Sequence, residues 1–197
     1  MTSSPSETES AVDPLQGPAD EMAAAVGGEA EVAFGTIKIR VPSDQWVSSL
    51  LTARDRGMVF FSWLSAVDWT SDVAVGDPPG GEDVVERIEL LATVADVSTG
   101  ARVTFSTDLA TENPTVDSLI GVFSGADWHE REAAEMFGIV FNGHPNLSHL
   151  YLTDGFIGHP LRKSYPLLSR EVKPWPVTVD VEAMPESDAP SEVNPEA

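Results

Sequence analysis

The chain has 197 residues, no cysteine, and a formal net charge of −21 from 32 acidic residues against 11 Lys and Arg. That length suits one domain plus tails, and the missing thiol excludes disulfides, thiol catalysis, Cys-based zinc sites and thiolate-held iron–sulfur clusters. The acidity argues against nucleic acid and against charge-driven docking on anionic lipid.

The acids are concentrated at the ends. Residues 1–31 and 174–197 hold 13 of the 32 acids and no Lys or Arg. Little apolar surface accompanies them, so residues 1–30 read as a disordered acidic tail, with only a transient helical turn at 20–26. The opening MTSSPSETES carries neither a basic nor an apolar segment and does not read as a secretion signal. No apolar run reaches the roughly 20 residues that cross a bilayer.

From Val32 to Arg40 the residues favour a strand. Ser43 then caps a helix whose stripe is Trp46, Val47, Leu50 and Leu51, with Gly57 as its stop. Met58–Trp69 reads as a strand, bent near Ser65. The Pro-Pro-Gly-Gly centre of residues 70–83 marks a loop. Residues 84–97 and 101–109 read as strands joined by a turn at Ser98-Thr99-Gly100. Val116, Leu119, Ile120 and Phe123 recur at helical spacing, which predicts a helix over 114–123. The expected fold is α+β: a two-layer sandwich with helices on one face of a mixed or antiparallel sheet, plus a long extended C-terminal arm. The expected boundaries are a disordered tail over 1–30, the α+β domain over 31–138, a partner-binding arm over 139–178 and an acidic tail over 179–197.

Residues 127–166 hold all four histidines, His129, His144, His149 and His159. Asp127 can cap a helix beginning at Trp128, with Glu130 and Glu132 in its first turn and Arg131 facing Glu135 four residues on. Gly138 would end it. His129 and Glu132 share a face at i, i+3, a spacing used in metal-binding bundles. The bland alternative is a solvated or partner-facing helix face, which we favour. Two near-copies follow, Phe141-Asn-Gly-His-Pro145 and Phe156-Ile-Gly-His-Pro160. Each Gly permits an unusual backbone angle and each His precedes a Pro, so each is a rigid corner presenting an imidazole. A loop-holding role for these imidazoles is favoured over acid–base or ligand chemistry, because no nucleophile stands nearby. Arg162 and Lys163 suit an acidic patch on a partner.

The two stretches EREAAEMFGIVFNGHP and LTDGFIGHPLRKSYPL resemble the signature of the C subunit of the proton-pumping NADH-quinone oxidoreductase, respiratory complex I. The resemblance covers Glu130 to Leu167. Ala134, Glu135, Ile157 and Ser164 depart from the family pattern. It implies a hydrophilic-arm subunit on the cytoplasmic side of the cell membrane, peripheral through the complex. It implies no catalytic, cofactor or metal site in this chain. NADH, FMN, iron–sulfur clusters and quinone belong to the assembly. It implies scaffolding by packing on the D-subunit homologue, beside the B and I iron–sulfur subunits. The docking residues expected are Glu130, Arg131, Glu132, Phe141, His144, Asp154, Phe156, His159, Arg162, Lys163 and Tyr165. Two other readings stand beside it: a metal-dependent enzyme using His129, Glu132, His144 and His159, and an isolated binding module.

Overall fold

The computed structural model describes residues 13–71 and 84–166. The loop expected over 70–83, the acidic tail over 179–197, and the arm beyond Pro166 therefore lie largely or wholly outside the described residues.

Helix α1 spans Gln16–Val26 and β1 spans Glu29–Ala33. For residues 16–30 this corrects the expectation of a disordered tail over 1–30; residues 1–12 lie outside the described residues. Ala19, Met22, Ala23 and Val26 recur at i, i+3, i+4 and i+7, and all are buried in the core. Composition hid a stripe half made of alanine. β2 spans Thr36–Arg40, and what reads as one strand over 32–40 is a hairpin. Its two-residue turn, Phe34-Gly35, has positive φ at both positions, 53° and 70°. That is the mirror-image turn whose twist suits antiparallel strands.

A short 3-10 turn over Ser43–Gln45 leads into α2, Trp46–Asp55. Ser43 makes no side-chain cap. β3 spans Phe60–Asp68, β4 Ile88–Ala95 and β5 Arg102–Leu109. The sheet order is β1-β2-β5-β4-β3, antiparallel except for the parallel pair β2–β5. The irregularity in β3 falls between Phe61 and Trp63, not at Ser65. It brings Phe61 and Leu64 to the same face, where α3 can meet them.

Residues 114–123 are not a helix. Thr115–Asp117 form β6, which pairs in parallel with β7, Val140–Asn142. Val116 sits opposite Phe141 in that ladder. Leu119 and Phe123 are buried in the turns that follow. The helical spacing was real but came from a strand running into tight turns. α3 spans Ala126–Phe137. Its N-cap is Gly125 without a side-chain cap, so Asp127 lies in the first turn instead of capping.

One face of the sheet carries the core. Ile39, Leu64, Ile88, Leu90 and Phe105 meet Trp46 and Leu50 of α2, and Ala133 and Phe137 of α3 join the same cluster. On the other face Glu89 is only 2% exposed. Lys38 and Arg87 bridge to it, and Trp69 Nε1 donates to its Oε2 at 2.9 Å. Among the described residues no helix is long and apolar enough to cross a membrane.

Candidate functional site: a helix that holds the arm

α3 is the post to which residues 139–166 are tied. Its stop is Gly138, at φ 73°. A Cβ there would lie 2.6 Å from Nε2 of His159, so glycine is required by contact as well as by backbone angle. Ile139 and Phe141 are buried, and only then does the chain turn to the surface. Gly143 and Gly158 have φ of 80° and 95°, the left-handed angles that the two Gly-His-Pro corners call for.

Two carboxylates of α3, Glu130 and Glu135, face inward. Glu130 is 0% exposed. Leu119 N–H donates to its Oε1 at 2.6 Å, and the Ser118 hydroxyl donates to its Oε2. Burial pushes its carboxyl above the usual 4.5, against the opposing pull of those two bonds. Glu135 is 4% exposed and accepts the backbone N–H groups of Leu150, Tyr151 and Leu152. Burial pushes Glu135 upward too, but the three amides outweigh it and hold the carboxyl below 4.5. Arg131 does not pair with Glu135. Its guanidinium donates to the carbonyls of Ser148 and His149 and lies 5.2 Å from the Trp128 ring.

The histidines separate. The His144 ring is 0% exposed, with Nδ1 accepting from Asn146 N–H at 3.1 Å. That places the proton on Nε2, which points at Asp127 Oδ1, 3.1 Å away. His159 Nδ1 donates to the Glu135 carbonyl at 2.9 Å. His129 packs edge-on against Phe61, 5.7 Å between ring centres. Both corner imidazoles thus tie loops to α3. The three sit at different places, and among the described residues no group of three or more His, Asp or Glu is placed to hold a metal ion. A thiolate-held cluster does not fit a chain without cysteine.

Several docking expectations change. Glu130 and Phe141 are enclosed by their own chain, so neither side chain can touch a partner; this corrects both. Arg162 donates from Nε to the Phe137 carbonyl and from Nη1 to the Thr111 carbonyl at 2.7 Å. Those bonds clamp the arm onto its own domain. Phe156 stacks on Tyr165 at 5.9 Å, again within the chain. Lys163 donates its backbone N–H to Asp68 Oδ2 at 2.9 Å while its ammonium stays exposed. Glu132 is half-buried and Asp154 exposed, and neither makes a side-chain hydrogen bond among the described residues. Sequence reasoning missed Asp68 and Thr111 as anchors. A lone acid ending the apolar run of β3 was the one available signal for Asp68; a backbone carbonyl at Thr111 leaves none.

Several large side chains remain outside beside the exposed polar groups. Tyr151 is 68% exposed, Ile157 89% and Trp128 61%. A five-stranded mixed sheet backed by helices, with a clamped arm beside such exposed side chains, leaves large apolar groups uncovered on the surface of this chain. The profile of the respiratory-chain NADH dehydrogenase 30 kDa subunit family matches residues 39–171, and the chain belongs to that family. The C subunit of the NADH-quinone oxidoreductase of Bordetella petrii is 35% identical over 167 residues, spanning 75% of this chain and 79% of that protein. Two solved structures share the fold. One is the trypsin-resistant fragment (1–134) of Nqo5, with TM-score 0.57, 20% identity and coverage of 67% of this chain and 98% of that one. The other is a chain of the membrane-bound sulfane sulfur reductase, an archaeal respiratory membrane complex, with TM-score 0.64, 18% identity and coverage of 79% and 88%. The chain is therefore one of the subunits of NADH-quinone oxidoreductase, and other subunits of that complex are its partners.

Proposed function

We propose that this chain is a non-catalytic scaffold of the peripheral arm of NADH-quinone oxidoreductase, on the cytoplasmic side of the cell membrane. It packs on the D-subunit homologue beside the B and I iron–sulfur subunits and steadies the quinone-reducing region. Electron transfer from NADH through FMN and iron–sulfur clusters to quinone, and the coupled proton translocation, are work of the assembly.

One observation carries the reading. The polar backbone of the arm is satisfied inward by Glu135 and Arg131, and the arm's own Arg162 binds carbonyls of the domain, while Tyr151 and Ile157 point outward. A loop ordered before contact loses less entropy on binding, and exposed large side chains on such a loop are suited to be anchors. The test is the double variant Tyr151→Asp with Ile157→Asp. Neither change touches the core, so the purified chain should keep its circular dichroism and melting temperature. Incorporation into the complex on native gels should fall several-fold. Assembly at the wild-type level would overturn the docking surface.

A further inference from the structure

The sheet ends in two edges of opposite character. At one, β1 is five residues long and carries exposed Glu29 and Glu31. Charge and shortness are the usual guards against unwanted strand pairing. At the other, β3 is nine residues long and pairs only with β4. Among the described residues no strand pairs with its outer side. Residues 59–67, VFFSWLSAV, contain no charged side chain. Val59 is 59% exposed, Phe60 52%, Trp63 38% and Val67 37%. In a ladder bonded on one side, every second N–H and C=O points away from the neighbour. Those groups of β3 await a partner or water.

We infer that the outer edge of β3 receives an extended segment of a neighbouring subunit as a sixth strand. The inference rests on the chain being part of the complex and adds a second contact to the arm surface. A row of unpaired amides and carbonyls is complementary to another strand and not to a helix. From Trp63 to Asp68 the register with β4 is uninterrupted, six residues, an ordinary strand length. The uncharged run asks for apolar side chains at alternate positions, to lie beside Trp63 and Val67. A second copy of this chain is disfavoured, because two bodies of charge −21 repel. The edge is also continuous with the arm, since Lys163 N–H binds Asp68 at its end.

Hydrogen exchange with residue-level fragmentation tests this on the free chain and on the intact complex purified from membranes. In the free chain, alternate amides of 60–68 should exchange fast while those facing β4 stay protected. In the complex the fast set should slow by roughly tenfold or more. Period-two protection is a strand signature that side-chain contact does not mimic. Fast alternate amides in the complex would overturn the inference, and so would protection already present in the free chain, which would mean its own residues cover the edge. A dimer of the isolated chain in sedimentation, with the same protection, would overturn it in favour of self-pairing. Protection at 150–165 without protection at β3 would sink this inference and leave the arm surface standing. The variant Trp63→Lys with Val67→Lys, both exposed, should fold normally and lose the added protection. If the protection persists in that variant, the inference fails.

Discussion

The sheet core and the arm reach order by opposite routes. In the core, Ile39, Leu90, Phe105 and Trp46 are all 0% exposed, and burial of apolar area supplies the driving force. In the arm, over 143–166, the largest side chains lie half-buried or outside. There the fixing contacts are polar and cross from side chain to backbone: Glu135 to three amides, Arg131 to two carbonyls, Arg162 to two more. A core of the first kind is cooperative and tolerates little loss. A strap of the second kind can open locally while the domain stands.

The largest effect should come from the core. Phe105→Ala removes a fully buried ring from the middle strand of the sheet and should cost about 3–5 kcal/mol. Equilibrium denaturation of the purified chain measures it. A loss below about 1 kcal/mol would mean that the two regions do not differ in the way described.

Glu135→Ala sharpens the comparison from the other side. It leaves three amides without their acceptor and should cost the arm about 1–3 kcal/mol. Exchange should quicken at 150–152 and stay unchanged in β4 and β5. Acid should act on the same contact. A carboxyl held below its usual 4.5 contributes stability that is present above pH 4.5 and is lost as pH falls through the lowered value. Glu130 has the opposite sign: its raised value favours the fold while protonated, and that contribution fades as pH rises through it. The arm amides should therefore loosen below pH 4.5 in the wild type, and Glu135→Gln should flatten that response. Unaltered arm exchange across that range would separate Glu135 from the arm's order.

The same contrast explains what could be read from the sequence. Strands β3, β4 and β5 and helix α2 announce themselves by local periodicity, because each buries one face on one core. The two corners at His144 and His159 were legible through Gly and Pro, whose constraints act within three residues. The rest depended on distant pairing. Val116 became a strand residue because Phe141 lies beside it, and Glu130 became a buried acceptor because Ser118 and Leu119 turn toward it. Residues 1–30 hid a helix because alanine marks a buried stripe weakly. The intrachain contacts of Arg162 were hidden for a similar reason. A cation in a motif does not reveal that its acceptors are the carbonyls of Thr111 and Phe137, 51 and 25 residues away.

The smallest effect belongs to a place that uses neither route. Phe34 is fully exposed at the tip of the β1–β2 hairpin, so it packs on nothing, and its φ is 53°. Side chains with a Cβ lose roughly 1–2 kcal/mol in the left-handed region, and Asn is among the residues that tolerate it. Asn followed by Gly35 is the favoured pair for this turn. Phe34→Asn should therefore raise stability by about 1 kcal/mol or less, a rise in Tm of about 2–4 °C for a chain of this size. Neither the core nor the arm contacts change in that variant, so any gain reports backbone strain alone. A fall in Tm would show instead that the phenyl ring stabilises the free chain through contacts its full exposure argues against.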